Sequence, residues 1–154
     1  MKKEYKELKE DVLDEEKAIE ETLKRLNEVK NNFRVQKKED YLSEPAMGTY
    51  LMNFYNGIEN ILKQISRSYY LSVPKGNSWH KELLVLSSNP PAGKVQVFNQ
   101  TIMERIVPYR NFRHRFVSGY GFQLKAEKMM ALIDNAESLW GDVKRAVSKF
   151  LDKL

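Results

Sequence analysis

Between residues 113 and 120 the chain reads Arg113-His114-Arg115-Phe116-Val117-Ser118-Gly119-Tyr120. Two guanidinium groups, an imidazole, a hydroxyl and a phenol stand there in close succession. A guanidinium presents a planar fork of donors that matches phosphate oxygens. An imidazole titrates near neutrality and can take a proton from a hydroxyl. Together these are groups suited to phosphodiester chemistry: one for the proton of a hydroxyl, one for the charge on phosphorus. Arg113 suits the second task. Ser118 does not suit the first, because its hydroxyl is essentially never ionised near pH 7.

The spacing restricts what these residues can do together. Position 118 lies five steps beyond Arg113, about 500° around a helix, so the two converge only if the backbone bends or two subunits contribute. Pro108, Gly119 and Gly121 make a bend plausible. His114 and Ser118 share a helix face, so Ser118 as a nucleophile would have His114 as its local base. No acid orients His114 in the sequence. Arg110 with His114 is a second pairing of Arg and His, four residues apart. Arg110, His114 and Arg115 are read as further groups that can bind a phosphate backbone, such as that of RNA, around Arg113.

Elsewhere the chemistry is sparse. The two histidines, His80 and His114, are far apart in sequence and lack carboxylates at ligand spacing, so no metal site is expected. There is no phosphate-binding Gly-rich loop, and no cofactor is implied. His80 beside Trp79 reads as packing or a helix-end contact. Asn53, Asn56 and Glu59 could face the site from another helix. Tyr50, Tyr55 and Tyr69 read as core or interface residues.

The elements that must position these groups are helices. Tyr5, Leu8, Val12, Ile19, Leu23, Leu26 and Phe33 recur at three- and four-residue steps, interrupted at Glu15-Glu16, and predict one long helix over residues 2–33. The Gln36-Lys37-Lys38-Glu39 segment reads as a connection. Met47, Leu51, Phe54, Ile58, Ile61, Ile65 and Tyr69 predict a second helix over 43–70, with Ser43 as its cap and Pro45 in the first turn. Ser78 is placed to cap a short helix ending near Leu86. Asn99 or Thr101 is placed to cap a third long helix, which Pro108 should kink or restart. Met129, Leu132, Ala136, Trp140, Val143, Val147, Phe150 and Leu154 predict the last. The longest strand-like alternation is Val95-Gln96-Val97. The expected fold is all-α: a bundle of four main helices plus a short one, in a single domain over residues 1–154.

Composition agrees with that class. Among 154 residues, 42% are apolar and 31% charged, which suits a globular helical domain rather than a disordered chain. The chain has no Cys, which excludes disulfides and thiolate chemistry. No apolar run approaches the roughly 20 residues needed to span a bilayer. Without a signal-peptide pattern at Met1-Lys2-Lys3, the expected location is the cytoplasm, with no membrane partner. The net charge of +5 is unevenly spread: residues 94–125 carry Lys94, Arg105, Arg110, Arg113, Arg115 and Lys125 against Glu104 alone. A phosphate-bearing partner would meet the positive field around Arg113.

Taken with this helical frame, the 113–120 run resembles the RxxxxHxY signature of the HEPN superfamily, in the form carried by HepT-like toxins. Arg113 stands at the Arg position, Tyr120 at the Tyr, and Ser118 where the signature has His. Phe112 to Phe116, Tyr120-Gly121-Phe122-Gln123-Leu124, the segment Leu51 to Lys63, and Trp79-His80-Lys81-Glu82-Leu83-Leu84 are also similar to that family. The resemblance implies a HEPN-type bundle. It also implies the RNA-cleaving toxin, a metal-independent endoribonuclease, of a HEPN/MNT toxin–antitoxin pair. The toxin would act as a homodimer on tRNA or mRNA, its motifs meeting at the interface. A cognate MNT-type nucleotidyltransferase antitoxin would attach AMP to Tyr120. Ser118 at the His position implies a catalytically disarmed chain that still binds RNA. The other reading is a non-catalytic helical module that keeps the HEPN frame to bind RNA or protein.

Overall fold

A computed structural model describes residues 2–36, 42–119 and 124–154. One turn at Lys3–Tyr5 leads into the first helix, α1, Lys6–Gln36. Its buried stripe is Leu8, Val12, Ile19, Leu23 and Leu26. Glu15-Glu16 does not interrupt it. Glu16 falls on the buried side, and its carboxyl is pushed above the usual range by that burial.

The second helix, α2, spans Ser43–Ile65 and buries Met47, Leu51, Phe54, Ile58, Ile61 and Ile65. Ser43 is its first residue rather than its cap, a position held by Leu42. The Cβ of any larger residue at Gly57 would overlap Ile19 Cγ1, so this glycine lets α1 and α2 approach closely. The apolar rhythm continues to Tyr70, but the helix does not. It widens over Ser66–Tyr70 into a turn in which Leu71 N–H bonds back to the Ser66 carbonyl. Leu71 then closes it in the left-handed region, at φ 57°. The wider turn brings both Tyr69 and Tyr70 inward, with ring centroids 5.1 Å apart and Tyr69 5.2 Å from Phe150.

The short helix α3, Trp79–Ser88, follows Ser78, whose side chain makes no capping bond. The fourth helix, α4, Gln100–Ser118, is capped by Asn99, whose side-chain oxygen accepts from Ile102 N–H at 2.9 Å. It runs unbroken through Pro108, which sits on its exposed side, so the expected restart does not occur. The last helix, α5, Ala126–Asp152, buries Met129, Ala136, Trp140, Val143, Val147 and Phe150. Tyr109 of α4 donates to the Leu132 carbonyl of α5 at 2.6 Å, and Arg105 pairs with Asp142.

The protein is all-α: four main helices and a short one, with no strand among the described residues, Val95-Gln96-Val97 included. Helix α2 touches each of the other four. No helix is long and apolar enough to cross a membrane, among the described residues.

Candidate functional site

The positions Arg110, Arg113, His114 and Val117 follow the three- and four-residue spacing of one helical face, here on the last two turns of α4. That face borders a cavity of about 450 Å³ whose opposite wall is Asn77, Ser78, His80 and Lys81 at the start of α3. Phe112, one residue from Arg113, is buried and anchors the helix against the core. The register of the helix thus directs Arg113 into the cleft while its neighbour holds it there.

Arg113 is clamped. Its Nε donates to Asn56 Oδ1 of α2 at 2.7 Å, and its Nη1 approaches His80 Nε2 at 3.4 Å. His80 in turn meets Glu59 of α2, Nδ1 to Oε2 at 2.5 Å. Glu59 is only 2% exposed, and a carboxylate so deeply buried needs a partner. The hydrogen-bond directions set the proton on the imidazole. A guanidinium can only donate, so Nε2 accepts from Arg113 and Nδ1 carries the hydrogen given to Glu59. Trp79 lies against the His80 ring, centroids 3.5 Å apart, with Lys63 Nζ 4.2 Å from the Trp79 ring centre. Beneath the site, burial first and then the Glu59 charge push the phenol of Tyr55 far above its ordinary range.

The charge at this cleft is largely uncancelled. Among the described residues no ion pair involves Arg110, Arg113 or Arg115, whereas Arg105 is paired with Asp142. Arg110 makes a 3.4 Å contact to Asn111, and His114 and Arg115 are exposed at the rim. A larger cavity of about 730 Å³ lies at the other end of α4; two of its cations, Arg105 and Arg145, are joined to Asp142, and Lys94, Lys149 and Lys153 also line it. Among the described residues no three His, Asp or Glu side chains are grouped to hold a metal ion.

Ser118 borders the same cavity as Arg113, and one continuous helix carries both. Its hydroxyl donates to the His114 carbonyl at 2.9 Å. That bond gives its proton to the backbone and not to the His114 ring, so the arrangement does not support Ser118 as a nucleophile activated by His114. Tyr120 lies outside the described residues. Asn56 and Glu59 do face the site, while Asn53 is exposed. The reading of His80 as a packing residue covers only half of what it does: one ring face packs on Trp79, and its nitrogens join Glu59 to Arg113. The trace in the sequence was Glu59, an acid on the inward side of an apolar seam between Ile58 and Ile61.

A family model described as HepT-like protein matches residues 46–154. That is more than half of the chain, and the chain belongs to this HEPN-related toxin family. No curated protein and no solved structure matches it.

Proposed function

We propose that this HepT-like chain is the RNA-cleaving component of a toxin–antitoxin pair, a metal-independent endoribonuclease that acts as a homodimer. The observation that carries this reading is the held guanidinium of Arg113. Asn56 takes its Nε, and its Nη1 keeps only a long 3.4 Å contact to His80 on the wall of the basic cleft. A fork fixed at its stem can meet two phosphate oxygens without first being ordered. Arg110, His114 and Arg115 around it supply the field that draws an RNA backbone in. Ser118 leaves the signature's base position without a base, so the chain binds RNA and cuts it little. Control comes from a nucleotidyltransferase that attaches AMP to Tyr120. The added phosphodiester competes with RNA for the same cations, and the adenosine fills the approach.

A second reading is favoured by one observation, the Ser118 hydroxyl turned back to the His114 carbonyl. On that reading the chain is a non-catalytic module that retains the HEPN frame to hold RNA or a partner protein. Induced expression in bacteria separates the two. As a toxin, the Ser118→His chain arrests growth and depletes tRNA or mRNA, and co-expression of a cognate nucleotidyltransferase relieves the arrest. Unimpaired growth on expression of Ser118→His favours the binding module. Light scattering at micromolar concentration should give a dimer, and an 18.1 kDa species alone removes the two-subunit site.

A further inference from the structure

The position that the signature reserves for a base is empty of one, yet the cleft is not. His80 reaches it from α3, outside the 113–120 run, and borders the same cavity as Arg113 and Ser118. Its side chain keeps a quarter of its surface exposed, whereas Glu59 behind it is sealed from solvent. The imidazole is oriented at three points: Nδ1 by Glu59, one face by Trp79, and Nε2 toward Arg113. A buried carboxylate on Nδ1 does two things for the opposite nitrogen. It holds the tautomer whose Nε2 lone pair is free to accept, and it stabilises the imidazolium formed once a proton arrives.

We propose that His80, oriented by Glu59, is the group that accepts the 2′-hydroxyl proton of RNA in the Arg113 cleft of this chain. This rests on the endoribonuclease reading above and names a proton acceptor for it other than position 118. In the free protein, Nε2 faces an Arg113 donor across a long 3.4 Å contact. An incoming phosphodiester offers that guanidinium anionic oxygens, which are far better acceptors. The exchange releases the Nε2 lone pair beside the phosphate just bound. The proton of the 2′-hydroxyl then passes to His80 Nε2 as the 2′-oxygen forms its bond to phosphorus. The bond from phosphorus to the 5′-oxygen breaks, and that oxygen takes a proton from water. The products are a 2′,3′-cyclic phosphate and a 5′-hydroxyl end. His80 returns its proton to solvent, and no oxidant, reductant or metal enters the balance.

The experiment is cleavage of a defined single-stranded RNA in excess chelator by the full chain and its variants, with circular dichroism to confirm folding. The parent chain is expected to cut slowly, leaving cyclic phosphate ends. His80→Gln should lower the rate at least about tenfold, toward the ~10²–10⁴-fold that loss of a general base costs. Added imidazole should restore part of the rate to His80→Ala, a response that a merely structural role would not give. Glu59→Gln should slow cleavage without responding to imidazole. Cleavage by His80→Gln at the parent rate, while Arg113→Ala loses it, would overturn the role of His80 and leave the site standing. So would a silent parent beside an active Ser118→His chain. A slow His80→Ala that imidazole does not rescue also overturns it, since His80 would then only position Arg113. If neither the parent nor Ser118→His cuts, it is the endoribonuclease reading that fails.

Discussion

The guanidinium of Arg113 and the amide of Asn56 are joined across two helices, Nε to Oδ1 at 2.7 Å. The bond belongs to α2 as much as to α4, so the orientation of the motif arginine is decided 57 residues upstream of it. Asn56→Ala should therefore weaken RNA binding although Asn56 itself needs no contact with RNA. The expected loss is about 1 kcal/mol, roughly fivefold in Kd, because a partly buried hydrogen bond that orders the fork is removed. Arg113→Lys should lose more, since a point charge cannot reproduce the fork. Electrophoretic mobility shifts with a short RNA measure both. Equal binding by Asn56→Ala and the parent would show that the clamp does not matter.

Packing between α1 and α2 makes a prediction of opposite sign to helix propensity. Gly57→Ala gains up to about 1 kcal/mol from propensity, but its new methyl overlaps Ile19 Cγ1. Overpacking costs about 1–3 kcal/mol, so the variant should melt several degrees below the parent. Ile19→Ala, which removes both Cγ1 and Cδ1, should cost less in the Gly57→Ala background than in the parent. A higher Tm for Gly57→Ala alone would contradict the close approach.

Alkaline stability should depend on the tyrosine that joins α4 to α5. Burial pushes the phenol of Tyr109 up to about 12, and its hydroxyl donates to the Leu132 carbonyl. A group whose folded value lies above its unfolded one contributes stability in full below the unfolded value, about 10. That contribution is lost as pH rises from about 10 through about 12. Tyr109→Phe should be less stable near neutrality by about 1 kcal/mol and should lose less between pH 9 and 12. Denaturant titrations across that range measure the difference. Parallel pH curves for the two proteins would contradict it.

Control through Tyr120 is tested by mass. Incubation with a cognate nucleotidyltransferase, ATP and Mg²⁺ should add one or more AMP units, placed on Tyr120 by peptide mass spectrometry. The modified protein should bind RNA more weakly, since the added phosphate pairs with the cations that RNA uses. Unchanged mass, or a gain that persists in Tyr120→Phe, would remove this mechanism.

The helices were legible because apolar side chains recur at helical steps, from Leu8 to Leu26 and from Met129 to Phe150. The end of α2 was not, since Tyr69 and Tyr70 keep the apolar rhythm while the backbone widens into a turn that periodicity does not register. The continuity of α4 was hidden by Pro108, whose missing N–H and bulky ring are tolerated on an exposed face. Within the site, Arg113 and its basic neighbours were readable from one run. The chain Glu59–His80–Arg113 was not, because its members come from three helices and meet only when α2, α3 and α4 pack. An imidazole next to a tryptophan looks the same in sequence whether it packs or carries protons.

Central to this account is the cleft around Arg113 as a place where RNA is cut. The most direct measurement is metal-free cleavage of total RNA or tRNA by Ser118→His, with and without Arg113→Ala. A base added at position 118 should raise the rate by ~10²-fold or more over the parent chain. Arg113→Ala in that background should return the rate to the parent level or below. Strong cleavage that survives Arg113→Ala, or no gain from Ser118→His, would contradict the account.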